Sequence, residues 1–256
     1  MPPNSAVIPD LSAKRTEMKK NVIILTLGLS GSSVLTGLIA RAGYWTGDDT
    51  FKKEYDTYEN RELIRLNSEL LAAADYRKDY TSEFSCEAIK QVSSLRGKLD
   101  LADYRNFLAQ CEARRPWIWK DPRFYLTIRF WKDLLDFEQI KVILLTRDKM
   151  QAWISQQLRR QVCTYSYFRR YDDGVRESLV GFLKDNRIPY LVLQYDDLIL
   201  RPEEALASLN RYIDASLTVD DLKAIYTGRL YKKSKSYWDL AKAVAIYAKN
   251  YSERQR

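Results

Sequence analysis

The sequence of 256 residues contains no histidine. This absence excludes Ser-His-Asp and Cys-His triads, a histidine general base and the commonest protein ligand of zinc. Proton transfer in an active site of this chain must therefore use Asp, Glu, Lys, Tyr or Cys. Under that restriction a carboxylate is the natural general base.

Cysteine is also scarce. Cys86, Cys111 and Cys163 are an odd number without Cys-x-x-Cys spacing, which argues against a disulfide framework and against a structural zinc site. We therefore expect no bound metal and a reducing, cytoplasmic location.

Long apolar runs are missing as well. No stretch approaches about 18 consecutive apolar residues, so no membrane-spanning helix is predicted. Residues 1–20 are polar and lack the apolar segment of a secretory signal. We expect them to form a flexible N-terminal tail, followed by one domain over residues 21–256.

Basic side chains outnumber acidic ones, with 42 Lys and Arg against 34 Asp and Glu and a formal net charge of +8. This surplus suggests an anionic partner. Nucleic acid, a membrane surface and a phosphorylated ligand are the three kinds of partner that fit. The basic residues are spread along the chain and interleaved with acidic ones, unlike the clustered pattern of nucleic-acid-binding proteins. We expect neither a nucleic-acid nor a membrane partner, and the sequence does not define an oligomeric state.

Four short apolar runs have the composition of buried strands, at residues 22–27, 117–119, 142–145 and 190–193. Longer amphipathic segments separate them. This alternation predicts an α/β fold of three layers, in which helices cover both faces of a central parallel sheet. Capping residues and prolines predict helix starts at Asp121-Pro122, Asp148 and Pro202, and the first of these helices is expected to run through about residue 135.

A loop of small residues follows the first predicted strand and precedes a helical stretch over residues 34–42. Its sequence is Gly28-Leu-Ser-Gly-Ser-Ser33. A strand, a glycine-containing loop and a helix in this order bind anions, because backbone N–H groups and the positive end of the helix dipole meet there. The turn is P-loop-like, but no lysine follows Gly31 as GxxxxGK[ST] requires, and GxGxxG spacing is absent. An ordinary β-to-α turn is the alternative interpretation.

A second anion-binding signal follows the third predicted strand. Arg147 stands at the strand end, and Ser155 lies eight residues further, two turns into the next predicted helix. A guanidinium at this position can offer a phosphate two parallel donors.

Taken in order, these segments resemble sulfotransferases of the bacterial-type soluble branch, which use 3′-phosphoadenosine-5′-phosphosulfate (PAPS) and release PAP. The resemblance covers roughly residues 21–213. It implies that Arg147 and Ser155 hold the 3′-phosphate of PAPS. Leu29 departs from the family pattern, which has a basic residue there. The resemblance further implies that the 5′-phosphate is held by Ser30, Gly31, Ser32, Ser33 and Val34.

Two further blocks are similar to this family. Gln194-Tyr-Asp-Asp-Leu198 resembles its Tyr-Glu-Asp-Leu segment, which implies that Tyr195 contacts the adenine. Trp119-Lys-Asp-Pro-Arg123 resembles its Lys-Asp-Pro-Arg block. The family often closes a basic loop over the 3′-phosphate, and the corresponding basic residues here are Arg229, Lys232, Lys233 and Lys235.

The candidate catalytic residues are a carboxylate base and a cation for the leaving group. Glu59 is the first candidate base, because Tyr58-Glu-Asn60 resembles an aromatic-Glu-Asn segment of the family. Its position at a predicted helix start makes a first-turn capping role the alternative. Asp48 and Glu54 are the other candidate bases, and Lys120 is the candidate cation in place of Leu29.

The sequence thus predicts a sulfotransferase that moves a sulfuryl group from PAPS to a hydroxyl or amine of a small-molecule or saccharide acceptor. The aromatic and basic segment 165–171 is a candidate wall of the acceptor pocket. Two alternatives are a P-loop-type small-molecule kinase, which needs a carboxylate for Mg²⁺, and a non-catalytic protein that binds PAPS or PAP. The identity of the acceptor cannot be predicted.

Overall fold

The computed structural model describes residues 19–53, 55–225 and 237–253. Four strands form a parallel sheet in the order β4-β1-β5-β6, and two more form an antiparallel hairpin, β2-β3. In chain order the strands are β1 Asn21–Leu25, β2 Thr50–Lys52, β3 Asp56–Asn60, β4 Ile118–Lys120, β5 Ile140–Thr146 and β6 Tyr190–Gln194.

Helices connect the parallel strands, as crossover connections between parallel neighbours require. They are α1 Ser32–Ala40, α2 Arg61–Ala73, α3 Cys86–Ser94, α4 Ala102–Glu112, α5 Phe124–Trp131, α6 Lys149–Leu158, α7 Tyr165–Asp185, α8 Tyr195–Leu200, α9 Pro202–Ile213, α10 Val219–Ile225 and α11 Tyr237–Lys249.

Both faces of β1, β4 and β5 are buried, which explains why these strands are mainly apolar, whereas β6 exposes Val192 and Gln194. Along β1, Ile23 and Leu25 pack on one side with α2, α3, α4, α5 and α7. Val22 and Ile24 pack on the other side with α1 and α9. The predicted three-layer α/β fold is therefore confirmed.

Two boundaries differ from the sequence-based expectation near Asp121. The expected helix through residue 135 begins only at Phe124 and ends at Trp131, so Pro122 lies in the preceding turn rather than at the first helical position. The reason is that the buried Asp121 carboxylate accepts a hydrogen bond from the Arg123 backbone N–H at 2.8 Å, which closes a turn before the helix.

The other predicted helix starts are confirmed. The Asp148 carboxylate caps α6 by accepting from the Gln151 N–H at 3.0 Å, and Pro202 is the first residue of α9. The hairpin β2-β3 was not predicted, because its residues are largely polar and lack a long alternating pattern. In the described part of the chain, no helix combines the length and apolarity needed to cross a membrane.

Candidate active site

The carboxyl ends of the four parallel strands meet at one edge of the sheet, the edge where open α/β sheets place their ligands. A cavity of about 490 Å³ opens there. The strand ends deliver the loop 26–31 after β1, Lys120 at the end of β4, Arg147 after β5 and Tyr195 after β6.

The other residues that line the cavity come from the loop, the hairpin, the start of α1, α2, residues 80–81, residues 122–123 and the end of α6. They are Gly28, Leu29, Gly31, Ser32, Ser33, Val34, Phe51, Lys53, Tyr55, Thr57, Glu59, Ile64, Tyr80, Thr81, Pro122, Arg123, Ser155, Leu158 and Arg159.

Gly31 makes the anion-binding turn possible. It precedes α1 with φ +84°, a left-handed conformation that costs any side chain with a Cβ about 1–2 kcal/mol. A Cβ at this position would lie 2.1 Å from Cδ2 of the buried Tyr195 ring. The loop and Tyr195, far apart in sequence, are therefore in close contact only because residue 31 is glycine.

Ser30 and Leu29 have structural roles in the same loop. Ser30 is buried, and its hydroxyl donates to Leu27 O at 2.9 Å and contacts the Thr26 hydroxyl. Its side chain therefore braces the loop and does not line the cavity. Leu29 has φ +64° and lines the cavity, while its carbonyl accepts a bond from Arg147.

Arg147 joins the loop to α6. Its Nη1 donates to Leu29 O at 2.9 Å and to Ser155 Oγ at 3.0 Å, and its guanidinium carbon lies 5.2 Å from the Tyr195 ring centroid. The two residues that the sequence paired at a spacing of eight are thus in direct contact at the cavity wall.

Lys120 and Glu59 form an ion pair beside the start of α1. Lys120 Nζ lies 2.5 Å from Glu59 Oε1 and 3.4 Å from Ser33 Oγ, so these two oxygens are at most about 6 Å apart. The side chains are only 1% and 16% exposed, respectively, so the pair is largely shielded from solvent. Alternation along β4 puts Lys120 on the same face as Ile118, the face that α1 covers.

The hairpin places Glu59 against the parallel sheet. Tyr58 of β3 packs on α1, where a Cβ at Gly37 would lie 2.6 Å from its ring. Glu59 belongs to β3, and Asn60 caps α2 by accepting from the N–H groups of Glu62 and Leu63. The alternative that Glu59 is a first-turn cap of this helix is therefore wrong, because the chain is still extended at Glu59.

A chain of hydrogen bonds fixes the segment after Lys120. Trp131 Nε1 donates to Asn67 Oδ1 at 2.8 Å, and Asn67 Nδ2 donates to Asp121 Oδ2 at 2.9 Å. Asp121 Oδ1 in turn accepts from Arg123 Nη1 at 3.0 Å. Burial alone lowers the pKa of Arg123, but the neighbouring Asp121 carboxylate raises that pKa above its usual value. Arg123 therefore stays charged at the cavity, where its guanidinium carbon lies 4.4 Å from the Tyr80 ring centroid.

The remaining predicted site residues are not brought together with this group. Asp48 is exposed and does not line the cavity; it accepts from Trp45 Nε1 at 3.0 Å and from Arg114 Nη1 at 3.1 Å. Residues 165–171 form the start of α7 and also lie off the cavity wall, although the Tyr171 hydroxyl supports Tyr80 by donating to its carbonyl. Three groups of predictions fall outside the described residues, namely the tail over residues 1–18, Glu54 and the basic residues Arg229, Lys232, Lys233 and Lys235.

The cavity has a marked excess of positive charge. Among the described residues that line the cavity, Glu59 is the only carboxylate. The cations are Lys53, Lys120, Arg123, Arg147 and Arg159. Five cations against one carboxylate, beside a helix N-terminus, create a positive electrostatic environment that favours a ligand with several negative charges. Within the described ranges no group of three or more Cys, Asp and Glu side chains is placed to hold a metal ion.

Gly31→Ala tests the close contact between the loop and Tyr195. We expect a loss of unfolding free energy well above the 1–2 kcal/mol that the left-handed backbone alone costs, because the Tyr195 ring must also move. Gly43→Ala is the matched control, since Gly43 has φ +90° and no atom within 4 Å of a built Cβ. Urea denaturation measures both losses, and equal losses would show that the loop contact does not matter.

Several lining residues were missed by the sequence analysis. Phe51, Tyr55, Tyr80 and Arg159 belong to no motif that resembles a known site, and their participation depends on how the hairpin and α6 meet. Asn67 was also not predicted as part of the site, because its bond to Asp121 spans 54 positions and has no local signal.

Comparison with known proteins gives structural neighbours only. No protein-family model matches the chain, and no curated protein matches it. The sulfotransferase domain of the olefin synthase of Synechococcus PCC 7002 is 20% identical, with a TM-score of 0.49 over 92% of this chain and 90% of that chain. The sulfotransferase domain from the curacin biosynthetic pathway is 14% identical, with a TM-score of 0.48 over 87% and 82%.

A third solved structure, sulfotransferase STF1 of Mycobacterium tuberculosis H37Rv, is 14% identical, with a TM-score of 0.40 over 91% of this chain and 77% of that chain. At these identities and TM-scores the similarity does not establish a function, which has to be inferred from the chain's own residues.

Proposed function

We propose that this protein is a sulfotransferase that transfers a sulfuryl group from PAPS to a hydroxyl or amine of a small acceptor. The observation that carries the proposal is the Lys120–Glu59 pair, which lies beside Ser33 at the start of the anion-binding helix. It combines in one shielded place a base, a cation and a phosphate-binding turn, the three groups that the transfer requires.

The residues present fit the charge of PAPS. A 5′-phosphosulfate at the loop meets Gly31, Ser32 and Ser33 together with the N-terminus of α1. A 3′-phosphate meets Arg147 and Ser155 on the neighbouring wall. When bound, PAPS supplies an activated sulfuryl group on a phosphate leaving group.

The chain's own residues then divide the chemistry between them. Glu59 takes the proton of the acceptor hydroxyl or amine as the acceptor atom bonds to sulfur. With PAPS bound, Lys120 would neutralise the negative charge that develops on the bridging oxygen as its bond to sulfur breaks. Lys120 thus performs the task of the basic residue that Leu29 replaces. The separation of at most about 6 Å between Glu59 Oε1 and Ser33 Oγ suits a single transferred group.

Thermal stabilisation by PAP tests the donor assignment. A ligand present at about 100 times its Kd, if it binds only the native state, adds about 2.7 kcal/mol of stability. For a chain of this size that corresponds to a rise in Tm of roughly 5 °C or more. PAP is expected to give this rise, whereas ATP with Mg²⁺ is expected to give little. A rise with ATP and Mg²⁺ alone would reject the sulfotransferase in favour of a kinase.

A further inference from the structure

The inner face of the β2-β3 hairpin forms one wall of the cavity. Side chains at alternate positions line it: Phe51 and Lys53 on one arm, and Tyr55, Thr57 and Glu59 on the other. This spacing of two residues is that of one face of an extended chain. The wall therefore runs from the candidate base, Glu59, outward to the hairpin turn near Tyr55.

The backbone of Lys53 and the guanidinium of Arg159 both contact Tyr55 at the outer end of this wall. Lys53 N donates to Tyr55 O across the turn at 3.0 Å, and Arg159 Nη2 at the end of α6 donates to the Tyr55 hydroxyl at 3.4 Å. Lys53 and Arg159 both line the cavity and are exposed at its mouth. By contrast, Lys120 and Arg123 deeper in the cavity are paired with Glu59 and Asp121.

No carboxylate within residues 19–53, 55–225 and 237–253 forms an ion pair with Lys53 or Arg159. On the hairpin, Phe51 and Thr57 lie between this outer pair and Glu59, and Ile64 and Tyr80 also line the cavity. The arrangement suits a ligand that is anionic at one end, apolar in its middle and reactive at the other end.

We propose that the acceptor carries an anionic group, a carboxylate, phosphate or sulfate, which Lys53 and Arg159 bind while its hydroxyl or amine meets Glu59. The inference rests on the proposed sulfotransferase function. Tyr55 and Glu59 are four positions apart, so at about 3.3 Å per residue their Cα atoms lie at most about 13 Å apart, which sets the scale of the distance between the anionic group and the reacting atom. The acceptor is thus an acidic molecule of limited length.

The competing assignment is that these cations bind the donor. Arg159 stands four residues after Ser155, one helical turn along α6 from the phosphate site of Arg147. The contact of Arg159 with the hairpin favours the acceptor, because Glu59 on the same hairpin face has to touch the acceptor and not the adenosine end of the donor.

Calorimetric titration of phenyl phosphate into PAP-saturated protein at low salt tests the inference. The wild-type protein is expected to bind one phenyl phosphate in addition to PAP. In Lys53→Gln/Arg159→Gln the Kd for phenyl phosphate is expected to rise about tenfold or more, while the Kd for PAP stays within twofold. Lys52→Gln/Arg160→Gln is the matched control, since it removes the same charge from neighbouring exposed residues that do not line the cavity.

Three outcomes of this titration would overturn the proposal. They are no binding of phenyl phosphate to PAP-saturated protein, equal weakening in the control variant, and a tenfold loss of PAP affinity in Lys53→Gln/Arg159→Gln, which would assign the pair to the donor. Failure of the wild-type protein to bind PAP is seen before phenyl phosphate is added. That result would reject the sulfotransferase itself and the acceptor role with it.

Discussion

Glu59→Gln is expected to reduce kcat for PAP formation by about 10²- to 10⁴-fold, the range that a positioned general base contributes. The amide cannot take the acceptor proton, but it keeps the shape of Glu59 and can still accept a bond from Lys120. Binding of PAP is therefore expected to stay within about threefold of wild type. Steady-state kinetics with PAPS and an acceptor found by screening, together with calorimetry of PAP binding, measure the two quantities.

Asp48→Asn is the control for Glu59→Gln, because Asp48 and Glu59 are the two candidate general bases that lie within the described residues. Asp48 is exposed, outside the cavity and bonded to Trp45 and Arg114, so its substitution is expected to leave kcat within about twofold of wild type. A Glu59→Gln variant that keeps most of its turnover would remove Glu59 as the base. Loss of both turnover and PAP binding would instead indicate a structural role for Glu59.

Arg147→Ala is expected to weaken PAP binding by at least about 30-fold, or about 2 kcal/mol, because the guanidinium is partly buried and hydrogen-bonded and the truncation of such a charge costs about this much or more. The change removes the guanidinium from the phosphate site. It also removes the bond that joins Leu29 O of the loop to α6. Isothermal calorimetry with PAP measures the loss.

Two further variants show which contact of Arg147 matters. Arg147→Lys keeps the charge but cannot reach Leu29 O and Ser155 Oγ with two fixed donors, so an intermediate loss is expected. Ser155→Ala leaves the bond to Leu29 in place, and a loss of about 1 kcal/mol is expected. Unchanged PAP affinity in Arg147→Ala would contradict the assignment of the 3′-phosphate to this wall of the cavity.

The single cavity at the strand ends gives these predictions a common basis. Each parallel strand delivers one part of the site to the same edge of the sheet, so substitutions at Lys120, Arg147 and Tyr195 act on one ligand although the residues are distant in sequence. The hairpin β2-β3 adds the candidate base and the cations of the proposed acceptor site. Donor and acceptor functions can therefore be separated by substitutions on different elements.

The sequence by itself determined the class of the fold and the local parts of the site. Apolar runs are required where both faces of a strand are buried, so β1 and β5 could be located from composition alone, and β6 was located by the same apolar pattern although its Val192 is exposed. The pairing of Arg147 with Ser155 was predicted from the resemblance to the family's 3′-phosphate motif, and the short spacing between the strand end and the second turn of the next helix allows the contact.

Only the tertiary structure decided which charges meet. Lys120 and Glu59 are 61 positions apart, and Arg159 and Tyr55 are 104 apart, so their contacts depend on how the hairpin docks beside α1 and α6. Asp48 and Glu59 are equally plausible bases as residue types, but packing of Tyr58 on Gly37 puts Glu59 in the cavity and leaves Asp48 at the surface. Local patterns determine secondary structure because they act through neighbouring residues. The partners of Glu59 and Arg159 are set by long-range packing, and no short sequence pattern predicts such contacts.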